Sequence, residues 1–244
     1  MITVKKLEVG YDRRAVAAPI DGTINAGSLT AVIGANGAGK STFLKTLAGL
    51  QSPIAGNIIF NSAETGKKRP RLAYLPQQAE LDRTFPIRVF DLVAMGCWPQ
   101  SGLFGGINRE SRNQVEQALD TVGMTEMAYS SVGELSGGQL QRALFARLLI
   151  QQAPLIMLDE PFTGIDSQTI ALLLQVIQQW YQQGKTVIAV LHDISMVAEH
   201  FPQVLFLSQD QNIWGSADDV LCHFPHRNHA CVSADSFSVD RIAI

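Results

Sequence analysis

Charge is scarce in this chain. Asp, Glu, Lys and Arg together make up 17% of its 244 residues and nearly cancel, leaving a net charge of −3. No basic run is sustained: "GKKRP" at 66–70 is too short to track a phosphate backbone, so no nucleic-acid partner is expected. Cysteine is equally sparse. Cys97, Cys222 and Cys231 show no C-x-x-C spacing, which points to a reducing, cytosolic compartment. Long apolar runs are missing too. A membrane span needs about 18 or more consecutive apolar residues, but "LFARLLI" is interrupted by Arg147 and "TVIAVL" is only strand length. The opening "MITVKKLEVGYDRR" is charged and alternating, so neither a secretory signal nor a span is expected, although the chain could dock on a protein that has spans. Internal repeats and low-complexity stretches are also absent. What remains is 46% hydrophobic residues, enough for a sizeable core in one α/β domain or one domain with an insertion.

Hydrophobic periodicity divides the chain into three parts. Alternation in "ITVKKLEVGY" and short apolar runs in "SLTAVIG", "NIIF" and "LAYL" predict strands, with "KSTFLKTLAGL" predicted as a helix after the second. From Pro86 the period changes. "IRVFDLVAMG", "RESRNQVEQALDTVGM" and "GQLQRALFARLLI" predict helices; Val115, Ala118, Leu119 and Val122 fall on one face. Strands resume at "LIML", "TVIAVL" and "VLFLS". A helix between the first two of these puts Ile170, Leu173, Leu174, Ile177 and Tyr181 on one side. The expectation is an α/β core interrupted at about 77–134 by a mostly helical insertion.

Three strand ends carry the chemistry. "GANGAGKST" (34–42) fits G-x-x-x-x-G-K-[ST] between a predicted strand and a predicted helix, the context that makes this motif a phosphate loop. Gly34, Gly37 and Gly39 let the backbone curl so that its N–H groups, with those of Asn36, Ala38 and Thr42, can point at phosphate oxygens. Lys40 would reach the β- and γ-phosphates of a nucleotide, and Ser41 would hold Mg²⁺. "LIMLDEP" (155–161) would deliver Asp159 and Glu160 at the carboxyl end of a buried strand. Asp159 suits Mg²⁺, and Glu160 suits the orientation of an attacking water. The alternative is a solvated acidic turn. "VLHDIS" puts His192 after another apolar strand, where a histidine is either structural or a γ-phosphate donor. Gln77 ends "AYLPQ", where core becomes insertion, and by itself says little. Tyr11, in "VGYDRR", falls at the end of the first predicted strand.

One stretch does not fit a single phosphate site. "ELSGGQLQRA" (134–143) again sets Gly137 and Gly138 behind a serine at the start of a predicted helix, which is an anion-facing arrangement. Taken together the motifs resemble the nucleotide-binding subunit of an ABC transporter, over nearly the whole chain to about residue 222. "LSGGQ" (135–139) is similar to that family's own signature. The resemblance implies a P-loop NTPase core with an antiparallel β subdomain and a helical insertion. It implies residues 1–222 as the ATPase domain, with the signature helix reaching about 150, and 223–244 as a tail. It further implies Mg-dependent ATP hydrolysis, with Gln77 as the Q-loop glutamine and a Mg²⁺ ligand, Asp159 and Glu160 as the Walker B pair, His192 as the switch histidine and Tyr11 as the adenine-stacking aromatic. Asp166 in "TGIDS" is similar to the D-loop aspartate, although Thr163, Gly164 and Ile165 depart from the familiar S-A-L-D.

The resemblance also accounts for the second loop. Subunits of this family pair head to tail, so Ser136, Gly137, Gly138 and Gln139 would face the partner's ATP in a homodimer. The same resemblance implies separate transmembrane permease subunits, a substrate-binding protein in the complex, and a position on the cytoplasmic face of the membrane. "FPIRVFDLVAMG" is similar to importer ATPases for metal ions and metal chelates (manganese, zinc, iron complexes, cobalamin), with Cys97 where arginine is common. An exporter subunit and a soluble ABC protein are the alternatives. The insertion is expected to receive the permease's coupling helix, with Val93 on the outward apolar face. In the tail, Cys222, His223, His226, His229 and Cys231 are possible soft-metal ligands, but their spacing matches no zinc pattern.

Overall fold

The computed structural model describes residues 1–12, 14–61, 69–77, 85–98 and 106–223. Residues 66–68 of the basic cluster, 78–84 and 99–105 of the insertion, and the tail from 224 lie outside these. The chain forms two units, Met1–Arg69 with the chain from Ile188 onward, and Pro70–Val187. Among the described residues no helix is long and apolar enough to cross a membrane.

In the first unit, the opening alternation becomes β1 (Ile2–Glu8), which buries Ile2, Val4 and Leu7. A short antiparallel pair, β2 (Gly10–Tyr11) and β3 (Arg14–Ala15), follows. β1 lies between β4 (Ile20–Ile24) and β6 (Ala55–Phe60), antiparallel to both. β4 escapes a reading by pattern because "IDGTI" has apolar residues only at its two ends. A second layer is built on β5 (Leu29–Ile33), buried at all five positions as a strand covered on both faces must be. β10 (Gln203–Leu207) runs parallel to β5, and β11 (Asn212–Ser216) closes antiparallel on β10. β9 (Thr186–Val190) starts in the second unit and ends in the first, beside β5. Helix α1 (Lys40–Ala48) leaves β5 through the glycine loop and stops at Gly49, whose φ of 74° is the left-handed cap glycine favours.

In the second unit, β7 (Leu72–Leu75) and β8 (Leu155–Asp159) are parallel neighbours, with Leu75 opposite Leu158. Helix α2 (Val89–Ala94) continues as a 3₁₀ turn, Met95–Cys97. α3 (Arg109–Thr121) is capped by Asn108, whose side chain accepts from the Ser111 N–H, and Val115, Ala118, Leu119 and Val122 are all buried. α4 (Gly137–Gln151) and α5 (Ser167–Gln182) complete the unit.

Two expectations are corrected here. Trp180, not Tyr181, belongs to the buried stripe of α5. It is fully buried and stacks on Phe145 of α4, with ring centroids 5.7 Å apart and planes 10° apart. The stripe runs Leu173, Val176, Ile177, Trp180, and the half-exposed Tyr181 lies one residue past it. Val93 is 0% exposed and so belongs to the core rather than to an outward face. Within residues 89–98 the exposed positions are Asp91 and Trp98.

Candidate active site

The first unit carries the glycine loop. Two of its glycines are required by close approach. A Cβ on Gly34 (φ 150°) would lie 2.2 Å from the Leu207 carbonyl oxygen, and one on Gly39 (φ 85°) would lie 2.8 Å from Val16 Cγ2. Both are left-handed conformations that L side chains seldom adopt. Gly39 is the N-cap of α1 and makes no side-chain cap hydrogen bond, and a helix N-terminus is where backbone N–H groups can receive an anion. Lys40 is 5% exposed, and its Nζ donates to the carbonyls of Gly34 (2.8 Å) and Ala35 (2.9 Å). These oxygens hold a buried ammonium that phosphate oxygens could take over. Ser41 is half-buried, Asn36 and Gly37 are exposed, and Ala38 and Thr42 are buried. Tyr11 is 53% exposed, and its hydroxyl accepts a long 3.5 Å contact from Thr42 Oγ1. His192 is exposed at the end of β9, one residue before Asp193, which caps α6 (Ile194–His200) by accepting from the Met196 N–H.

The second unit carries the acids. Asp159 ends β8 with 1% exposure, and Tyr74 of β7 donates its hydroxyl to Asp159 Oδ2 at 3.3 Å. Glu160, the next residue, is one of four non-glycine residues with positive φ among the described residues, at 50°. That conformation costs about 1–2 kcal/mol. Gln77 Nε2 donates to Glu160 Oε2 at 2.7 Å, and Thr163 Oγ1 donates to the same oxygen at 3.3 Å. An ionised carboxylate only accepts, so the Gln77 nitrogen faces it and the amide oxygen remains as the atom able to serve a cation. Three predicted residues, Gln77, Asp159 and Glu160, are thus gathered at adjoining strand ends.

The signature segment lies in the same unit. Ser136 is the N-cap of α4: its Oγ accepts from the Gln139 N–H at 3.3 Å, and Gln139 Oε1 accepts from the Ser136 N–H at 2.9 Å. This reciprocal capping box engages the Gln139 side chain with its own helix. Gly137 is exposed and Gly138 half-buried. Asp166 caps α5. Its Oδ1 accepts from the Thr169 N–H and its Oδ2 from the Thr169 hydroxyl, and these bonds hold its carboxyl below the usual carboxylate range. Ser136→Ala is expected to cost about 1 kcal/mol in thermal unfolding, with the chain still folded.

Tyr74, Gln141, whose Nε2 donates to the Pro161 carbonyl at 2.8 Å, and Thr163 are contacts of the site to which the motifs assign no role. Only the parallel pairing of β7 and β8 brings Tyr74 to Asp159. Thr163 carried a signal, since it stands where the D-loop departs from the common pattern. In the tail region, Cys222 Sγ and His223 Nδ1 both contact the Asp219 carbonyl, at 3.1 and 2.9 Å. No group of three His, Cys, Asp or Glu able to hold a metal occurs among the described residues, and His226, His229 and Cys231 lie outside them.

The sequence profile described as ABC transporter matches residues 17–163, more than half of the chain. The chain belongs to the ABC transporter family. It is an ATP-binding ATPase subunit of that family. A Chlamydia pneumoniae protein named "Probable metal transport system ATP-binding protein" is 41% identical over 219 residues, which cover 90% of this chain and 85% of that one. The manganese transport system ATP-binding protein MntB of Listeria innocua is 38% identical, covering 85% of this chain and 87% of its own. A solved structure described as an inward-facing "metal-chelate type ABC transporter" has a TM-score of 0.78 at 28% identity, covering 90% of this ABC subunit and 84% of that chain.

Proposed function

We propose that this ABC subunit powers import of metal ions, manganese or zinc, as a homodimer on separate permease subunits, with a substrate-binding protein delivering the ion outside and the ATPase on the cytoplasmic face. The observation that supports the metal assignment most is the 41% identity over 219 residues to a metal transport subunit. In this reading residues 1–222 are the ATPase domain, with its helical insertion at about 77–134, and 223–244 are a tail.

The roles follow from chemistry. Lys40 exchanges its two loop carbonyls for β- and γ-phosphate oxygens, and the N–H groups of the loop hold the remaining charge. Tyr11 stacks on the adenine. Ser41, Asp159 and Gln77 offer a hydroxyl, a carboxylate and an amide oxygen. This set of hard oxygen donors suits Mg²⁺, which when bound neutralises charge on the phosphoryl oxygens. Glu160 orients the attacking water, and His192 donates to the γ-phosphate. Ser136, Gly137 and Gly138 face the partner's ATP, with Asp166 beside them.

The test is uptake. Cells producing the chain with its permease should accumulate radioactive manganese or zinc, and Lys40→Ala should abolish the accumulation. Efflux of these ions, or no dependence on the chain, would overturn the assignment. The docking surface can be tested separately. Trp98 and Ile107 are 46% and 48% exposed beside a hollow of about 210 Å³ that Asp91, Met95 and Cys97 also line. Trp98→Asp is expected to reduce permease co-purification about tenfold or more, the scale of a binding hot spot, with melting temperature and ATP binding unchanged. Val93→Asp should instead lower the melting temperature, because it buries a carboxylate among apolar side chains.

A further inference from the structure

We propose that Thr163 is a positioning residue for Glu160: its hydroxyl holds the carboxylate in the orientation that ATP hydrolysis requires. The proposal rests on the catalytic role given to Glu160 above. The contact lies within one turn. Thr163 Oγ1 donates to Glu160 Oε2 at 3.3 Å, and the Thr163 N–H approaches the Glu160 carbonyl at 3.4 Å. The turn is anchored on both sides. Gln141 of α4 holds the Pro161 carbonyl at 2.8 Å, and beyond Gly164 (φ 73°) the chain is tied into α5 by the two bonds from Thr169 to Asp166. Glu160 itself sits at a left-handed φ of 50°, so its backbone is set by the turn and the remaining freedom is in its side chain.

A donor on one carboxylate oxygen removes most of that freedom, and orientation is what a water-positioning carboxylate contributes. Gln77 donates to the same oxygen, at 2.7 Å, from the end of β7. The two donors differ in kind. Gln77 belongs to the segment that leads into the helical insertion and is assigned to the metal in the ATP-bound state. Thr163 belongs to the turn that carries Glu160 and can keep its contact when Gln77 moves. The hydroxyl, rather than the bulk of the side chain, is the functional part, because Thr163 is exposed and its methyl group packs into no core.

The experiment compares Thr163→Val, which keeps shape and loses the hydroxyl, with Thr163→Ser, which keeps the hydroxyl, both in the full-length chain. Single-turnover ATP hydrolysis is measured over a range of Mg-ATP concentrations. Thr163→Val is expected to lower the rate constant about tenfold, the effect of losing about 1.4 kcal/mol of transition-state stabilisation, with half-saturation unchanged. Thr163→Ser should stay within about twofold of wild type. On a Glu160→Gln background, Thr163→Val should still trap ATP in a dimer. The proposal is overturned if Thr163→Val hydrolyses like wild type, if Thr163→Ser fails as badly, or if the double variant cannot trap ATP, since that would assign Thr163 to the contact between subunits. If Glu160→Gln alone hydrolyses normally, the error lies in the catalytic assignment of Glu160 instead.

Discussion

Glu160→Gln is expected to lower ATP turnover by about 10²–10⁴-fold, the range for loss of a positioned general base, with ATP still bound and an ATP-held dimer accumulating. Glutamine keeps one acceptor oxygen on a side chain of the same length. The contacts from Gln77 and Thr163 to Oε2, at 2.7 and 3.3 Å, can therefore persist, and the left-handed backbone at φ 50° is unaffected. What disappears is the negative charge that polarises water. Binding depends on Lys40 and the glycine loop, which the substitution leaves alone. Steady-state hydrolysis and size-exclusion chromatography with Mg-ATP read the two consequences separately. Turnover within a few-fold of wild type at saturating Mg-ATP would remove Glu160 from the catalytic role.

A mixture of Lys40→Ala and Gly138→Asp chains is expected to trap ATP although neither parent does. Lys40→Ala removes the ammonium from the glycine loop. Gly138→Asp introduces a carboxylate at the start of the signature helix, where a Cβ would lie 3.3 Å from Asp166 Oδ2 and 3.5 Å from Thr169 Oγ1. Its charge would oppose both a phosphate and the Asp166 carboxylate, so each homodimer has two defective sites. If each ATP is held between one chain's glycine loop and the other chain's signature, a heterodimer has one site with both defects and one with neither. On a Glu160→Gln background, trapped ATP should approach about one per heterodimer, as a two-fold arrangement with one intact site requires. Melting curves of both parents separate a misfolded Gly138→Asp chain from a blocked site. A heterodimer, verified by differently tagged chains, that traps no more than its parents would show that the signature does not complete a neighbour's site.

Much of this protein is determined by its sequence alone, and the reason is that its chemistry is local. The curl of "GANGAGKST" needs glycines at set intervals, and Gly34 and Gly39 stand where any side chain would meet Leu207 or Val16. Buried strands such as Leu29–Ile33 and Leu155–Asp159 are readable because a strand covered on both faces is a nearly continuous apolar run, broken here only by Thr30 and by Asp159 at the strand end. The family is legible from contiguous motifs for the same reason. Other features depend on residues far apart in the chain, and only the tertiary structure decided them. The pairing of β7 with β8 brings Tyr74 to Asp159 and Gln77 to Glu160 across more than eighty positions. Trp180 replaces Tyr181 in the core because Phe145 of another helix lies against it, and Val93 turns inward because the helices packed around α2 enclose it. Periodicity specifies that a helix has an apolar face, but burial is a property of what packs against that face.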